Sequence, residues 1–261
     1  MLIDSHCHPN SKELRQDAGG LMKRAQAAGV GRMLIVGCDL EDSAEAVAMA
    51  HRFVEYGAYA AVGIHPHEAA RYGESLPQPL MDLAGDGRVV ALGEMGLDYY
   101  YDLSPRDVQQ KFFAAQLEWA ARTGLPAILH IRDAMPDALS ILRDFKDKVR
   151  LLFHCYGGGL EYLDEVLDMG GFCALGGAVT WKRSDELREV AARLPADRLL
   201  LETDCPYMTP APFRGKPNEP AYVRYVYETV ATARSVSSEE LAAQVARNAA
   251  NLFGWEECPD V

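Results

Sequence analysis

Leu2-Ile3-Asp4-Ser5-His6-Cys7-His8 reads as a β-strand whose last residues are ligand-type side chains. Side chains at i and i+2 of a strand share a face, so His6 and His8 address one space. Comparable β-type runs recur at 2–7, 32–36, 58–64, 89–94, 127–131, 151–154, 172–175 and 199–202. Their spacing of roughly 30 residues is that of one βα unit. Most are continuous apolar runs rather than alternating ones, the mark of parallel strands buried on both faces. Eight such units in 261 residues predict a single α/β domain, residues 1–261, folded as a (β/α)8 TIM barrel, which typically needs ~250 residues. The alternative is an open doubly wound sheet, but no Gly-x-Gly-x-x-Gly follows the first run.

The intervening segments carry helix signals. Ser104 is expected as an N-cap with Pro105 at the first helical position; Val108, Phe112, Ala115 and Trp119 follow at helical spacing. Ser237 and Glu240 form a capping-box pattern. Gly29, Gly57 and Gly124 sit where helix C-caps are expected. The Pro-rich stretch 206–220 reads as an ordered active-site loop leading into a helix at 222–233.

Composition narrows the function. The chain is 49% hydrophobic and 25% charged, as expected of a protein with a full core. No apolar run approaches the ~18 residues that span a bilayer. The six cysteines, Cys7, Cys38, Cys155, Cys173, Cys205 and Cys258, are scattered without a Cys-x-x-Cys pair. With no signal peptide read ahead of them, free thiols in a cytoplasmic protein are expected. A net charge of −12 repels phosphate backbones at long range, which argues against a high-affinity nucleic-acid coating protein. It does not exclude an enzyme that meets nucleic-acid ends in a small metal-filled pocket. No basic stripe, aromatic stacking ladder or recognition-helix motif is read.

Active sites of TIM barrels lie at the C-terminal ends of the strands. There the sequence places His6 and His8, Glu94, His130, His154, and Glu202-Thr203-Asp204. Any one of these has an ordinary structural explanation: a hydrogen-bonded core histidine, or a buried ion pair. Four of the seven histidines at strand ends on one rim are hard to obtain by chance. Imidazole with carboxylate suits Zn2+, Mn2+ or similar cations. His65, at the end of the third run, is expected to reach the site, with a turn-stabilising role as the alternative. His67 is expected beside the site or exposed, and His51 on a helix. Glu202 and Asp4 are expected to orient ligands from deeper positions.

Six segments together resemble the TatD family of metal-dependent deoxyribonucleases, within the amidohydrolase superfamily. They are Asp4-Ser5-His6-Cys7-His8, Gly63-Ile64-His65-Pro66-His67, Gly93-Glu94-Met95-Gly96-Leu97-Asp98-Tyr99, His130-Ile131-Arg132-Asp133-Ala134, Phe153-His154-Cys155-Tyr156-Gly157-Gly158 and Leu201-Glu202-Thr203-Asp204-Cys205-Pro206-Tyr207, continued by Pro212-Phe213-Arg214-Gly215-Lys216-Pro217-Asn218-Glu219-Pro220. The resemblance runs through essentially the whole chain in order. It implies two divalent metal ions (Zn2+, Mg2+ or Mn2+). His6, His8, Glu94 and Asp204 would hold one, and Glu94 would bridge to a second completed by His130 and His154. It implies that His65, Arg132, Arg214 and Asn218 face the substrate phosphate, and that the substrate is the end of single-stranded DNA or RNA. Ile131, Asp133, the Cys155-Tyr156-Gly157 run and Cys205 depart from the family pattern, which bears on substrate preference and removes no ligand.

A cation lowers the pKa of a water it binds toward ~7, and two ~3.5–4 Å apart can clamp an in-line phosphoryl displacement. Asp204 is then expected as the proton acceptor and Glu94 as the bridging group. Arg132 and His65 are expected to neutralise charge on the phosphate. The leading expectation is a 3′-5′ exonuclease-like hydrolase with no protein partner. Hydrolysis of a carboxylic ester, such as a D-aminoacyl-tRNA bond, is the alternative within enzymes. A catalytically idle barrel scaffold is the alternative outside them.

Overall fold

The computed structural model describes residues 1–73 and 75–255; Cys258 lies outside them. Its eight strands are β1 (Leu2–Cys7), β2 (Val30–Val36), β3 (Ala58–Val62), β4 (Val89–Asp98), β5 (Ala127–Arg132), β6 (Leu151–Phe153), β7 (Phe172–Leu175) and β8 (Leu199–Leu201). All seven neighbouring pairs are parallel and run in chain order, β1 to β8. The helices are α1 (Ala18–Ala27), α2 (Leu40–Arg52), α3 (Ala69–Tyr72), α4 (Gln78–Leu83), α5 (Arg106–Thr123), α6 (Met135–Leu142), α7 (Leu163–Asp168), α8 (Asp185–Arg193), α9 (Val223–Arg234) and α10 (Ser238–Phe253). Strand and helix alternate around the ring, so the (β/α)8 architecture stands. No helix is long and apolar enough to cross a membrane, among the described residues.

Polar side chains close the ring between β8 and β1. Thr203 donates through its backbone N–H and its hydroxyl to the Asp4 carboxylate, at 2.8 and 2.7 Å. Ser5 Oγ donates to Leu201 O at 3.1 Å, and the chain just past both strands pairs directly, Asp204 N to His6 O and His8 N to Cys205 O. Asp4 is fully buried, and burial pushes its carboxyl up to about 8 against the pull of the Thr203 hydrogen bonds. Its place is therefore the barrel seam. The Tyr227 hydroxyl, from α9, donates to Ile3 O and accepts Ile3 N–H, fixing that helix against β1.

The fourth strand differs most from expectation. The predicted run stops at Glu94, whereas β4 continues to Asp98, with a register shift between Leu92 and Met95 before Met95–Asp98 pairs with Leu129–Arg132. Two glycines permit this. Gly93 and Gly96 both have positive φ, 141° and 145°, and a Cβ on them would lie 2.7 Å from Ile128 O and 2.0 Å from His130 O. Only residues without a side chain let β5 come this close. Two buried glutamines of α5 take up backbone groups left where strands end. Gln116 exchanges both of its amide bonds with Ile64, and Gln109 accepts from Asp98 N and donates to Asp98 O and Ser104 O. Pro105, rather than Ser104, occupies the N-cap position of α5. The Ser104 hydroxyl instead donates to His67 O and accepts from Ala70 N. The Ser237–Glu240 capping box is present, and Gly57 and Gly124 are left-handed caps.

Candidate metal centre

At the C-terminal mouth of the strands, Glu94 stands between two sets of imidazoles. Its Oε2 lies 3.4 Å from His6 Nε2 and 3.6 Å from His8 Nε2. Its Oε1 lies 2.7 Å from His130 Nδ1, 2.9 Å from His154 Nε2 and 3.6 Å from His65 Nε2. Asp204 Oδ1 completes the first set, 3.8 Å from His6 Nε2 and 3.5 Å from His8 Nε2. The six residues read from the sequence as ligands thus meet at one place, with one Glu94 oxygen turned to each set. The triads His6–His8–Asp204 and His65–Glu94–His130 each bring their ligand atoms within 4.8 Å of one another, as do His8–Cys38–Glu94 and His6–His154–Glu202.

The outer nitrogens of the histidines determine what the inner ones offer. His8 Nδ1 lies 2.9 Å from Val36 O, an acceptor that has no proton to give. That nitrogen therefore keeps its proton, and Nε2 is the nitrogen that can present a lone pair to a cation. His130 Nε2 lies 3.0 Å from Asp98 Oδ2, leaving Nδ1 as the inward lone pair. His154 Nδ1 faces Glu202 Oε1 at 3.4 Å, an electrostatic contact longer than a good hydrogen bond. Two imidazoles held from behind by a carbonyl or carboxylate, and a third facing one, converge on a shared carboxylate in an arrangement that could hold a cation. The converging pair His6 Nε2 and His8 Nε2, 2.9 Å apart, fits the same account.

Charge points the same way. Glu94, Asp98, Glu202 and Asp204 are all buried, and no Lys or Arg pairs with any of them among the described residues. Their cationic partners among those residues are imidazoles alone, and burying this many carboxylates together is expensive, so the cluster suits cations. Burial pushes the Glu94 carboxyl up, but His154, His65 and His130 outweigh it and hold it well below the usual range. Asp204 behaves alike: burial raises it, and His8, His154 and His6 bring it below its ordinary value. Burial and the charge of His154 lower His6.

Asp98 is the residue that the sequence reading quoted without assigning. Fully buried, it takes His130 Nε2 and His67 Nε2 on Oδ2, at 3.0 and 2.9 Å, and the backbone N–H groups of Tyr100 and Tyr101 on Oδ1. His67 is therefore beside the centre, as expected. Glu94, Gly96 and Asp98 alternate along β4, and period two puts them on one face. Cys38 was missed too, its sulfur 3.9 Å from His8 Nδ1 and 4.0 Å from Glu94 Oε2, as was Cys155, 3.6 Å from Asp204 Oδ2.

The residues expected at the substrate divide. His65 is buried against the centre. Its Nδ1 accepts the His67 N–H at 3.2 Å, and burial, reinforced by His130, holds it well below its ordinary value. It is therefore neutral with its proton on Nε2, a donor rather than a ligand. Arg132 is exposed and lies over the rings of Tyr100 and Tyr101, at 4.0 and 4.8 Å. Arg214 is exposed and lies over Trp181 at 4.2 Å. Asn218, also expected at the phosphate, lies below the loop. It is fully buried, its amide donating to Thr203 O and Tyr207 O and its carbonyl accepting Glu219 N–H. All its capacity goes into pinning the loop after β8. Glu202 accepts the Cys155 backbone N–H as well as facing His154, and His51 pairs with Asp86 on the exposed face of α2.

A (β/α)8 barrel with an imidazole–carboxylate cluster in its mouth is the design of a metal-dependent hydrolase. Residues 3–254 match the family model described as TatD related DNase, and the chain belongs to that family. It is 40% identical to an uncharacterised metal-dependent hydrolase, YabD, of Bacillus subtilis (strain 168), over 97% of this chain and 99% of that one. It is 36% identical to the 3′-5′ ssDNA/RNA exonuclease TatD of Klebsiella pneumoniae (strain 342), over 97% and 98%. The crystal structure of YJJV, a TatD homolog from Escherichia coli K12, superposes with a TM-score of 0.88 at 30% identity, covering 97% of this chain and 98% of that one.

Proposed function

We propose that this enzyme hydrolyses phosphodiester bonds at the 3′ end of single-stranded DNA or RNA, using two divalent cations. His6, His8, Asp204 and Glu94 Oε2 would hold one; Glu94 Oε1, His130 and His154 would hold the other. Bound there, the cations supply Lewis acidity and lower the pKa of water toward ~7. Asp204 is kept ionised by its imidazole neighbours, so it can accept a proton from the attacking water and return it to the leaving oxygen. His65 Nε2–H, 3.6 Å from Glu94 Oε1, is placed to donate to a phosphate oxygen. Arg132 and Arg214, on the rim with no carboxylate partner among the described residues, meet the phosphates on either side. The five described cysteines are free thiols, which agrees with a cytoplasmic setting.

The observation that carries this reading is the orientation of Glu94, one oxygen to each set of imidazoles, with one imidazole of each set, His8 and His130, held from behind by Val36 O and Asp98 Oδ2. The relative from Klebsiella pneumoniae, an exonuclease by name, supports the choice of substrate. The test is cleavage of end-labelled single- and double-stranded DNA and RNA in Mg2+, Mn2+ or Zn2+, with bound metal measured in parallel. Progressive shortening of single strands from the 3′ end is expected. A metal-loaded enzyme that cleaves none of them but deacylates aminoacyl-tRNA would overturn it.

A further inference from the structure

Among the described residues, six large hydrophobic side chains are strongly exposed: Val54, Tyr100, Tyr101, Leu103, Tyr207 and Val236. Four of these fall in two loops at the barrel mouth, after β4 and after β8. Scattered single exposures are ordinary, whereas exposed apolar groups gathered around a site mark a binding surface. The tyrosines neighbour histidines associated with different oxygens of Glu94. Tyr207 is 60% exposed and its ring is 6.3 Å from that of His8, in the Oε2 set. Tyr100 and Tyr101 are 58% and 54% exposed. The Tyr101 ring is 5.5 Å from His67, which shares Asp98 with His130 of the Oε1 set.

Both loops are held rigid from below while their rings face solvent. Asp98 Oδ1 accepts the backbone N–H of Tyr100 and of Tyr101, at 3.0 and 2.8 Å. Asn218, fully buried, donates to Tyr207 O at 2.7 Å, and Tyr207 N donates to Asp204 O. Such anchoring lowers the entropy lost on binding. Tyr100 and Tyr101 meet edge to face at 4.9 Å. Arg132, unpaired with any carboxylate among the described residues, packs over both rings and adds positive charge where a backbone would pass. An aromatic face beside an unneutralised guanidinium suits an unpaired nucleobase and its phosphate.

We propose that Tyr207 and the Tyr100–Tyr101 pair are stacking platforms for the two nucleobases that flank the scissile phosphodiester, one on each side of Glu94. This rests on the phosphodiesterase reading and adds to it a reason for preferring single strands, since paired bases cannot turn their faces to tyrosine. It also makes base stacking, rather than base-edge hydrogen bonding, the basis of recognition, and so predicts tolerance of sequence.

The test is a set of thermodynamic cycles. Single-stranded oligonucleotides carry an abasic tetrahydrofuran residue at the 3′-terminal or at the penultimate position. Each is hydrolysed by wild type, by Tyr207→Ala and by the double variant Tyr100→Ala/Tyr101→Ala. Loss of one stacked base is expected to lower kcat/KM about 10- to 100-fold, mainly through KM. Each variant should lose as much on the intact strand. One variant should show no further loss with the terminal abasic strand, and the other none with the penultimate one. Phe at the same positions should stay within about threefold of wild type, because the ring face is kept. Losses that multiply in every combination, or Phe variants as poor as Ala, would overturn the platforms while leaving the nuclease intact. Failure of wild type to hydrolyse any strand in any metal would overturn the phosphodiesterase reading, and the platforms with it.

Discussion

Replacing Asp98 with Asn separates an orienting role from a ligand role. The carboxylate accepts four hydrogen bonds and donates none: two from imidazoles on Oδ2 and two from backbone amides on Oδ1. Asn is nearly the same shape. Its carbonyl can keep the Tyr100 and Tyr101 amides, but its NH2 then faces His130 Nε2, which needs an acceptor. His130 must take the other tautomer, with its proton on Nδ1, the atom 2.7 Å from Glu94 Oε1. The inward lone pair is lost. His67 is less constrained, being about a quarter exposed, and can turn outward. Loss of such an outer partner costs about 10- to 100-fold in metal affinity, or about 1.4–2.7 kcal/mol. The loss should fall on the cation of the His130–His154 set. The His6–His8–Asp204 set, which Asp98 does not touch, should stay within about twofold. Competition with a chromophoric chelator, followed by elemental analysis of the dialysed protein, reads both affinities. Equal weakening of both sites, or none with an unchanged circular dichroism spectrum, would refute the tautomer argument.

Four further outcomes are expected. Asp204→Asn should keep its metal content within about twofold and lose at least ~100-fold in kcat, since Asn can ligate but cannot accept a proton; near wild-type turnover would remove Asp204 from the proton-transfer role. Metal uptake by the apo-protein at pH 7 should release protons, because burial lowers His8, His130 and His154 but their carboxylate neighbours outweigh it and raise all three above their ordinary range; calorimetry in buffers of different ionisation enthalpy should show the release, with affinity rising with pH, and zero release would contradict the assignment. Asp4→Ala should cost about 2–4 kcal/mol in urea unfolding by leaving the Thr203 N–H and hydroxyl unpaired. Asp4→Asn removes a titration: a carboxyl raised from 3.8 to about 8 gives stability that is full below its unfolded value and lost as pH rises to the folded one, so wild type should weaken relative to Asp4→Asn between about pH 4 and 8 and run parallel to it above; parallel curves across that lower range would contradict it. Arg214→Ala and Lys216→Ala, if each residue meets one phosphate, should each reduce the salt slope of strand binding by about 0.7; unchanged slopes would move the strand's path elsewhere.

The sequence carried most of the fold because buried parallel strands are written as uninterrupted apolar runs, and eight evenly spaced runs leave few arrangements. It carried the ligands because they sit at strand ends, where position along the chain maps directly onto one rim. It failed where backbone geometry intervened. Gly93 and Gly96 look like a strand breaking down, yet their positive φ lets β4 run on to Asp98, hiding the orienting carboxylate in what reads as a loop. Asn218 looks like an exposed polar residue among prolines, and only the closed loop reveals its amide clasping Thr203 and Tyr207. Cys38 lacks any partner spacing, so nothing in the chain announces a thiol 4.0 Å from Glu94. Tyr207 and Tyr100 are a hundred residues apart, and no local pattern shows that they flank one centre.

A formal charge of −12 and a nucleic-acid substrate are reconciled by distance. Charges on the far surface act through a Debye length of about 8–10 Å at physiological salt, and a strand end in the mouth feels chiefly what lies within it. There the chain presents buried carboxylates turned toward the proposed cations, and exposed cations, Arg132 and Arg214, set on aromatic rings. Without metal the buried carboxylates are balanced by protonated His8, His130 and His154; divalent cations replacing those protons would add positive charge and bind phosphate oxygens directly. Strand affinity should therefore depend on metal far more steeply than for a protein that binds through a basic groove, where chelation leaves the attraction in place. Fluorescence anisotropy with a labelled single strand, titrated with and without EDTA, measures this directly. Equal affinity in both conditions would mean that the strand is held by surface charge, and that the centre is not what attracts it.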